Sequence, residues 1–118
     1  MIIAIDFDGT LAEYTEWKGI AHIGAPIKGA IEAVKELHKQ GHELIIFTTR
    51  VSPAMKDGAE ARIYIIEWLR ANGILGHISE LTGHKPLADR YIDDRAITFT
   101  NWKEVLERLE QSALHEFK

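Results

Sequence analysis

The sequence predicts an α/β domain in three layers, a central parallel sheet with helices on both faces. Three observations carry that expectation. Short β-branched apolar runs alternate with longer segments of helical periodicity, which is the pattern of β-α-β units. Three of the apolar runs end directly in polar, chemistry-bearing residues: Asp6 and Asp8, Thr48-Thr49-Arg50, and Asp93-Asp94. The length of 118 residues suits one domain built on one core, and no repeat or linker divides residues 1–118.

The elements follow in order. Ile2 to Ile5 is a short buried strand, and residues 9–25 form an irregular loop or a small hairpin carrying Tyr14 and Trp17, which either pack that loop down or wall a substrate site. Pro26 suits a first helical position, Ile27, Ile31, Val34 and Leu37 follow at helical spacing, and Gly41 ends the helix. Leu44 to Phe47 is the second strand. Residues 59–72 form a second helix with Ile63, Ile66 and Leu69 on its pattern, stopped at Asn72-Gly73. Ile78 to Leu81, Arg90 to Ile92 and Ile97 to Phe99 are three further short strands. Asn101 with Glu104 marks the start of a last amphipathic helix through Trp102, Val105, Leu106 and Leu109.

Composition narrows the function classes. The chain is 46% hydrophobic and 27% charged, as soluble domains are, and it holds no cysteine, which removes disulfides and thiolate metal sites. A net charge of −4 argues against broad nucleic-acid binding, leaving nucleic acid only as a possible substrate. No apolar run approaches the roughly 20 residues that span a bilayer, and no signal-peptide pattern opens the chain, so the expectation is a cytoplasmic protein off the membrane. The six histidines show no ligand spacing.

The three polar clusters would meet at the carboxyl edge of a parallel sheet, where open α/β sheets bind their ligands. In a strand that continued, Asp6 and Asp8 would share a face. Four carboxylates in one crevice repel each other unless a divalent cation neutralises them, and an all-oxygen site favours magnesium. A carboxylate beside magnesium can attack phosphorus directly, and a second acid nearby can protonate the leaving oxygen and then activate water. The equatorial oxygens of the phosphoryl group need donors, which Thr48, backbone N–H groups and Lys85 would supply. Arg50 stands equally open as a substrate contact or a salt-bridge partner, and Arg95 is expected to pair with a neighbouring acid.

Asp6-Phe7-Asp8-Gly9-Thr10-Leu11 after a strand resembles the first motif of the haloacid dehalogenase superfamily in its phosphatase form. Leu44-Ile45-Ile46-Phe47-Thr48 is similar to the second motif, Lys85 stands where the third-motif lysine belongs, and Ile92-Asp93-Asp94 resembles the acidic fourth motif. The four motifs occur in the family's order across nearly the whole chain. The resemblance implies a Rossmann-like α/β/α domain and a magnesium-dependent phosphohydrolase that forms an aspartyl-phosphate. It implies Asp6 as nucleophile and metal ligand, and Asp8 as general acid/base that reaches the metal through its backbone carbonyl. Thr48 and Lys85 would bind the phosphoryl group, Asp93 and Asp94 would serve the metal, and Gly9, Thr49 and Arg50 would line the substrate site. Either Thr48 or Thr49 can be the phosphate-binding hydroxyl.

Asp8 and Thr48 are 40 positions apart, and Thr48 and Lys85 are 37, so neither interval has room for a cap domain. The resemblance then implies a capless member whose site is open unless residues 12–25 or a second subunit cover it. Small metabolites and phosphorylated polymer ends both suit such a site. A phosphotransferase, or a non-enzymatic phosphate-binding or signalling module on the same fold, is the alternative. The order Asp-x-Asp, Thr, Lys, Asp-Asp disfavours a response-regulator receiver.

Overall fold

The computed structural model describes residues 1–93 and 100–116, the last six of these as helical backbone. Strand β1 (Ile2–Asp6) leads through a long loop to helix α1 (Ala30–Lys39) and strand β2 (Glu43–Phe47). A 3₁₀ turn at Thr49–Val51 precedes helix α2 (Gly58–Ala71), and a second at Leu75–His77 precedes strand β3 (Glu80–Thr82). Strand β4 (Arg90–Ile92) and helix α3 (Trp102–Glu116) complete the described chain. The four strands are all parallel in the order β3-β2-β1-β4. With its three helices this is a Rossmann-like α/β fold, consistent with three layers. The expected strand at Ile97 to Phe99, and with it Asp94 and Arg95, lies outside the described residues.

Strand alternation sets the two faces of the sheet. Ile3 and Ile5 join Leu44, Ile46 and Ile92 in the main core, with Val34 and Leu37 of α1, Ile65 and Leu69 of α2, and Val105 and Leu109 of α3. Ala4, Ile45 and Tyr91 fall at the same level on the opposite face. There the connection from β3 to β4 is tied down by Tyr91, whose hydroxyl donates to the Pro86 carbonyl at 2.5 Å and accepts from the Ala88 N–H at 3.2 Å.

Several expected boundaries move, each for a physical reason. The chain is not yet helical at Pro26, because Pro26 bridges Ala12, and the Ile27 N–H donates to the Leu11 carbonyl at 2.9 Å. Helix α1 therefore starts four residues later, after Gly29 at φ 86. Ile63, expected to be inward, is 62% exposed. Ala61, Ile65 and Leu69 form the buried stripe of α2 and fix its rotation. β3 lies two residues beyond its expected start. The start of α3 is as the sequence predicts: the Asn101 side chain accepts the Glu104 N–H at 3.0 Å. Among the described residues no helix is long and apolar enough to cross a membrane.

Candidate active site

Strands β2, β1 and β4 lie side by side, so their carboxyl ends bring Thr48, Asp6 and Asp93 to one edge. Together with Phe47, Thr49, Gly83 and Lys85 they line a cavity of about 250 Å³. Residues from four separate stretches of the sequence thus meet in one place.

β1 ends at Asp6, and the next residues make a tight turn instead of extending the strand. The N–H groups of Thr10, Leu11 and Ala12 all donate to the Phe7 carbonyl, and the Gly9 N–H donates to Ala12. Gly9 has φ 80, which a residue without Cβ adopts at little cost. Phe7 is fully buried and packs edge-on against Trp68 at 5.1 Å, which anchors the turn from below. The Phe7 N–H donates to Asp6 Oδ1 at 2.9 Å. The turn's backbone bonds converge on the Phe7 carbonyl, not on that of Asp8.

Asp8 corrects one expectation. Because β1 stops before it, its carboxylate does not share the crevice of Asp6 and Asp93 but meets Arg50. Arg50 Nε donates to Asp8 Oδ2 at 2.7 Å and Nη2 to Oδ1 at 3.0 Å, a two-pronged ion pair. Arg50 is 4% exposed, and its Nη1 is buried with no hydrogen-bond partner. Of the two roles open to Arg50, this geometry shows the salt bridge. Asp8 and Arg50 line a second cavity of about 220 Å³ with Tyr14, Trp17, Thr49 and Met55. Thr49 is common to both cavities.

Thr48 caps the 3₁₀ turn, its hydroxyl accepting the Arg50 N–H at 3.2 Å. Both Thr48 and Thr49 face the first cavity, so the choice of phosphate-binding hydroxyl stays open between them. Lys85 Nζ lies 3.3 Å from Asp93 Oδ2, and Asp93 is 7% exposed. The ammonium also sits 4.5 Å from the Tyr91 ring centre and 5.9 Å from that of Phe47.

Four contributors were not anticipated. Gly83 backs onto the turn after β2 so closely that a Cβ there would lie 2.5 Å from Ser52 Cα. Tyr91 and Phe47 cradle Lys85, and Met55 walls the second cavity. A glycine in a predicted loop and the aromatics of two strands carry no sequence signal for these roles, which arise only when separate elements meet.

Among the described residues no three acids or histidines form a metal-binding group. Two carboxylates, Asp6 and Asp93, do share one cavity, and the Asp8 carbonyl is not taken up by its own turn. That donor set is all oxygen and short of a full cage, which fits magnesium, an ion commonly held by one or two carboxylates while keeping several waters.

A solved structure of a conserved protein from Bacteroides thetaiotaomicron is 30% identical to this chain, covering 95% of it and 91% of that protein, with a TM-score of 0.70. The chain belongs to that protein's family. A second solved structure, from Vibrio cholerae, is 25% identical over 94% of this chain and 98% of that one, with a TM-score of 0.58. No protein-family model matches the chain, and neither does any curated protein. Neither solved relative is described by an activity, so a functional reading rests on this chain's own residues.

Proposed function

We propose that the protein is a magnesium-dependent phosphohydrolase acting on phosphate monoesters through an aspartyl-phosphate at Asp6. The observation that carries this reading is the meeting of Asp6, Thr48, Lys85 and Asp93 in one cavity at the carboxyl ends of adjacent parallel strands. This set provides a nucleophile, a hydroxyl donor and a fixed cation, with a second carboxylate beside them. Phosphoryl transfer depends on that combination of positioning and charge.

In the first step an Asp6 carboxylate oxygen bonds to phosphorus. The bond to the leaving oxygen breaks with its electron pair, and Asp8 supplies that oxygen's proton. In the second step Asp8 takes a proton from water, the water oxygen bonds to phosphorus, and the pair of the Asp6–phosphorus bond returns to Asp6. Both oxygens of Asp8 accept from Arg50, but each carboxylate oxygen keeps a further lone-pair direction for the proton. Lys85 and the hydroxyl of Thr48 or Thr49 hold the phosphoryl oxygens. Asp6, Asp93 and the Asp8 carbonyl would hold magnesium, which when bound offsets the charge of phosphate and carboxylates.

The test is Asp6→Asn against a generic aryl phosphate with magnesium. Turnover should vanish while the melting curve is unchanged; turnover at the wild-type rate would overturn the nucleophile assignment. Chelation should stop the wild-type reaction and magnesium should restore it.

A further inference from the structure

The second cavity has features that the phosphoryl chemistry does not use. Tyr14, Trp17 and Met55 are all close to half exposed, yet all three line the same 220 Å³ space. At its floor Arg50, 96% buried, keeps Nη1 out of solvent with nothing to donate to. A buried, unpaired guanidinium nitrogen is costly unless a ligand completes it. The Trp17 ring lies 4.9 Å from the guanidinium carbon, so an aromatic ring already stacks over that group.

We propose that Tyr14, Trp17, Met55 and Arg50 form a leaving-group subsite that takes a flat ring bearing a hydrogen-bond acceptor, the chemistry of a nucleobase. The substrate class is then the nucleoside monophosphates. The proposal rests on the phosphohydrolase reading and adds its substrate.

Placement supports it. Thr49 walls both cavities, so an ester held by its phosphoryl group in the first extends past Thr49 into the second. Asp8, the proton donor to the leaving oxygen in that reading, lies in the second cavity, where the leaving group would be. Charge selects the kind of ligand. Asp8 already balances the positive charge of Arg50, so the remaining N–H groups call for a neutral acceptor more than for a second anion. Arginine donates well to the acceptor edge of guanine, and aromatic side chains hold bases by stacking. Trp17 stands on a loop whose neck is closed by Glu13 N–H to Ala25 carbonyl and pinned by Trp68 Nε1 to Gly24 carbonyl at 3.0 Å. Access of a ligand's acceptor to the buried Nη1 requires the half-exposed Trp17 side chain to move outward on that fixed base.

The experiment compares kcat/KM for guanosine 5′-monophosphate and glycerol 3-phosphate, and measures guanosine binding by calorimetry with ribose as control. The wild type should favour the nucleotide about tenfold or more, the scale of one base–aromatic stack. Trp17→Ala should remove that preference and weaken guanosine binding by about as much, with Tyr14→Ala showing a smaller loss. Equal efficiencies on the two esters in the wild type, or a preference that survives both substitutions, would overturn the subsite while leaving the phosphohydrolase standing. Trp17-dependent guanosine binding with no ester hydrolysed would support the ring subsite and overturn the phosphohydrolase reading instead.

Discussion

Arg50 grips both carboxylate oxygens of Asp8, at 2.7 and 3.0 Å, from a residue 42 positions away in the chain. The contact joins the turn after β1 to the turn after β2, so it fixes the acid of one motif by the residue that follows another. Lysine keeps the charge but has no rigid fork, so Arg50→Lys frees the Asp8 rotamer. On the proposed mechanism kcat should fall roughly tenfold with alkyl phosphates and less with aryl phosphates, whose leaving oxygen needs little help from an acid. A loss independent of the leaving group would show that Arg50 is structural only. Arg50→Ala should cost stability on the order of 2 kcal/mol, the scale of hydrogen bonds to a charged group.

Tyr91 should matter through Lys85. Its hydroxyl holds Pro86 and Ala88, and its ring faces the ammonium. Tyr91→Phe keeps the ring and releases the β3–β4 connection. The expected result is a stability loss of about 1 kcal/mol in denaturant unfolding and a several-fold rise in KM, since Lys85 is held less firmly. An unchanged KM alongside the stability loss would separate the anchor from the proposed phosphate site.

Gly83 makes a sharper case. A Cβ at this position would meet Ser52 Cα at 2.5 Å and Ser52 N at 2.6 Å, and backbone on both sides leaves neither able to yield cheaply. Gly83→Ala should destabilise by about 1–3 kcal/mol, as overpacking does. It should also lower kcat/KM, because the loop that carries Lys85 is pushed from the cavity. A variant with wild-type melting and activity would mean that the two turns part easily.

Part of the candidate site is legible in the sequence because its residues follow β-like runs, and strand ends in a parallel sheet share an edge; Lys85 stands in a loop and is placed by its motif position. Asp6, Thr48 and Asp93 needed only that rule to be placed together. The orientation of Asp8 was not legible: it depends on where β1 stops, and the Phe7 carbonyl decides this by gathering three N–H groups. The phase of α2 was missed for a similar reason. Ile63 and Ile65 are equally apolar, and only packing of Ala61, Ile65 and Leu69 on the sheet chooses between them. Pro26 was misplaced because its bridge to Ala12 is a contact between distant segments, which helical spacing cannot register.

At the opposite end of β2, His42 Nδ1 lies 3.0 Å from the Met1 amino group. Burial, and then the positive charge of that amino group, hold the pKa of His42 below its ordinary 6.5. Between that lowered value and 6.5 the unfolded chain binds more protons than the folded one, so stability rises with pH across the window. The contribution is complete above 6.5 and is lost as pH falls through the folded value. His42→Gln removes the titrating group, so its melting temperature should decline less than the wild type's between pH 7.5 and mildly acidic conditions near pH 5. The two proteins should run parallel above pH 7.5, where the imidazole is neutral in both states. Identical acid limbs would show that His42 does not govern this part of the stability curve.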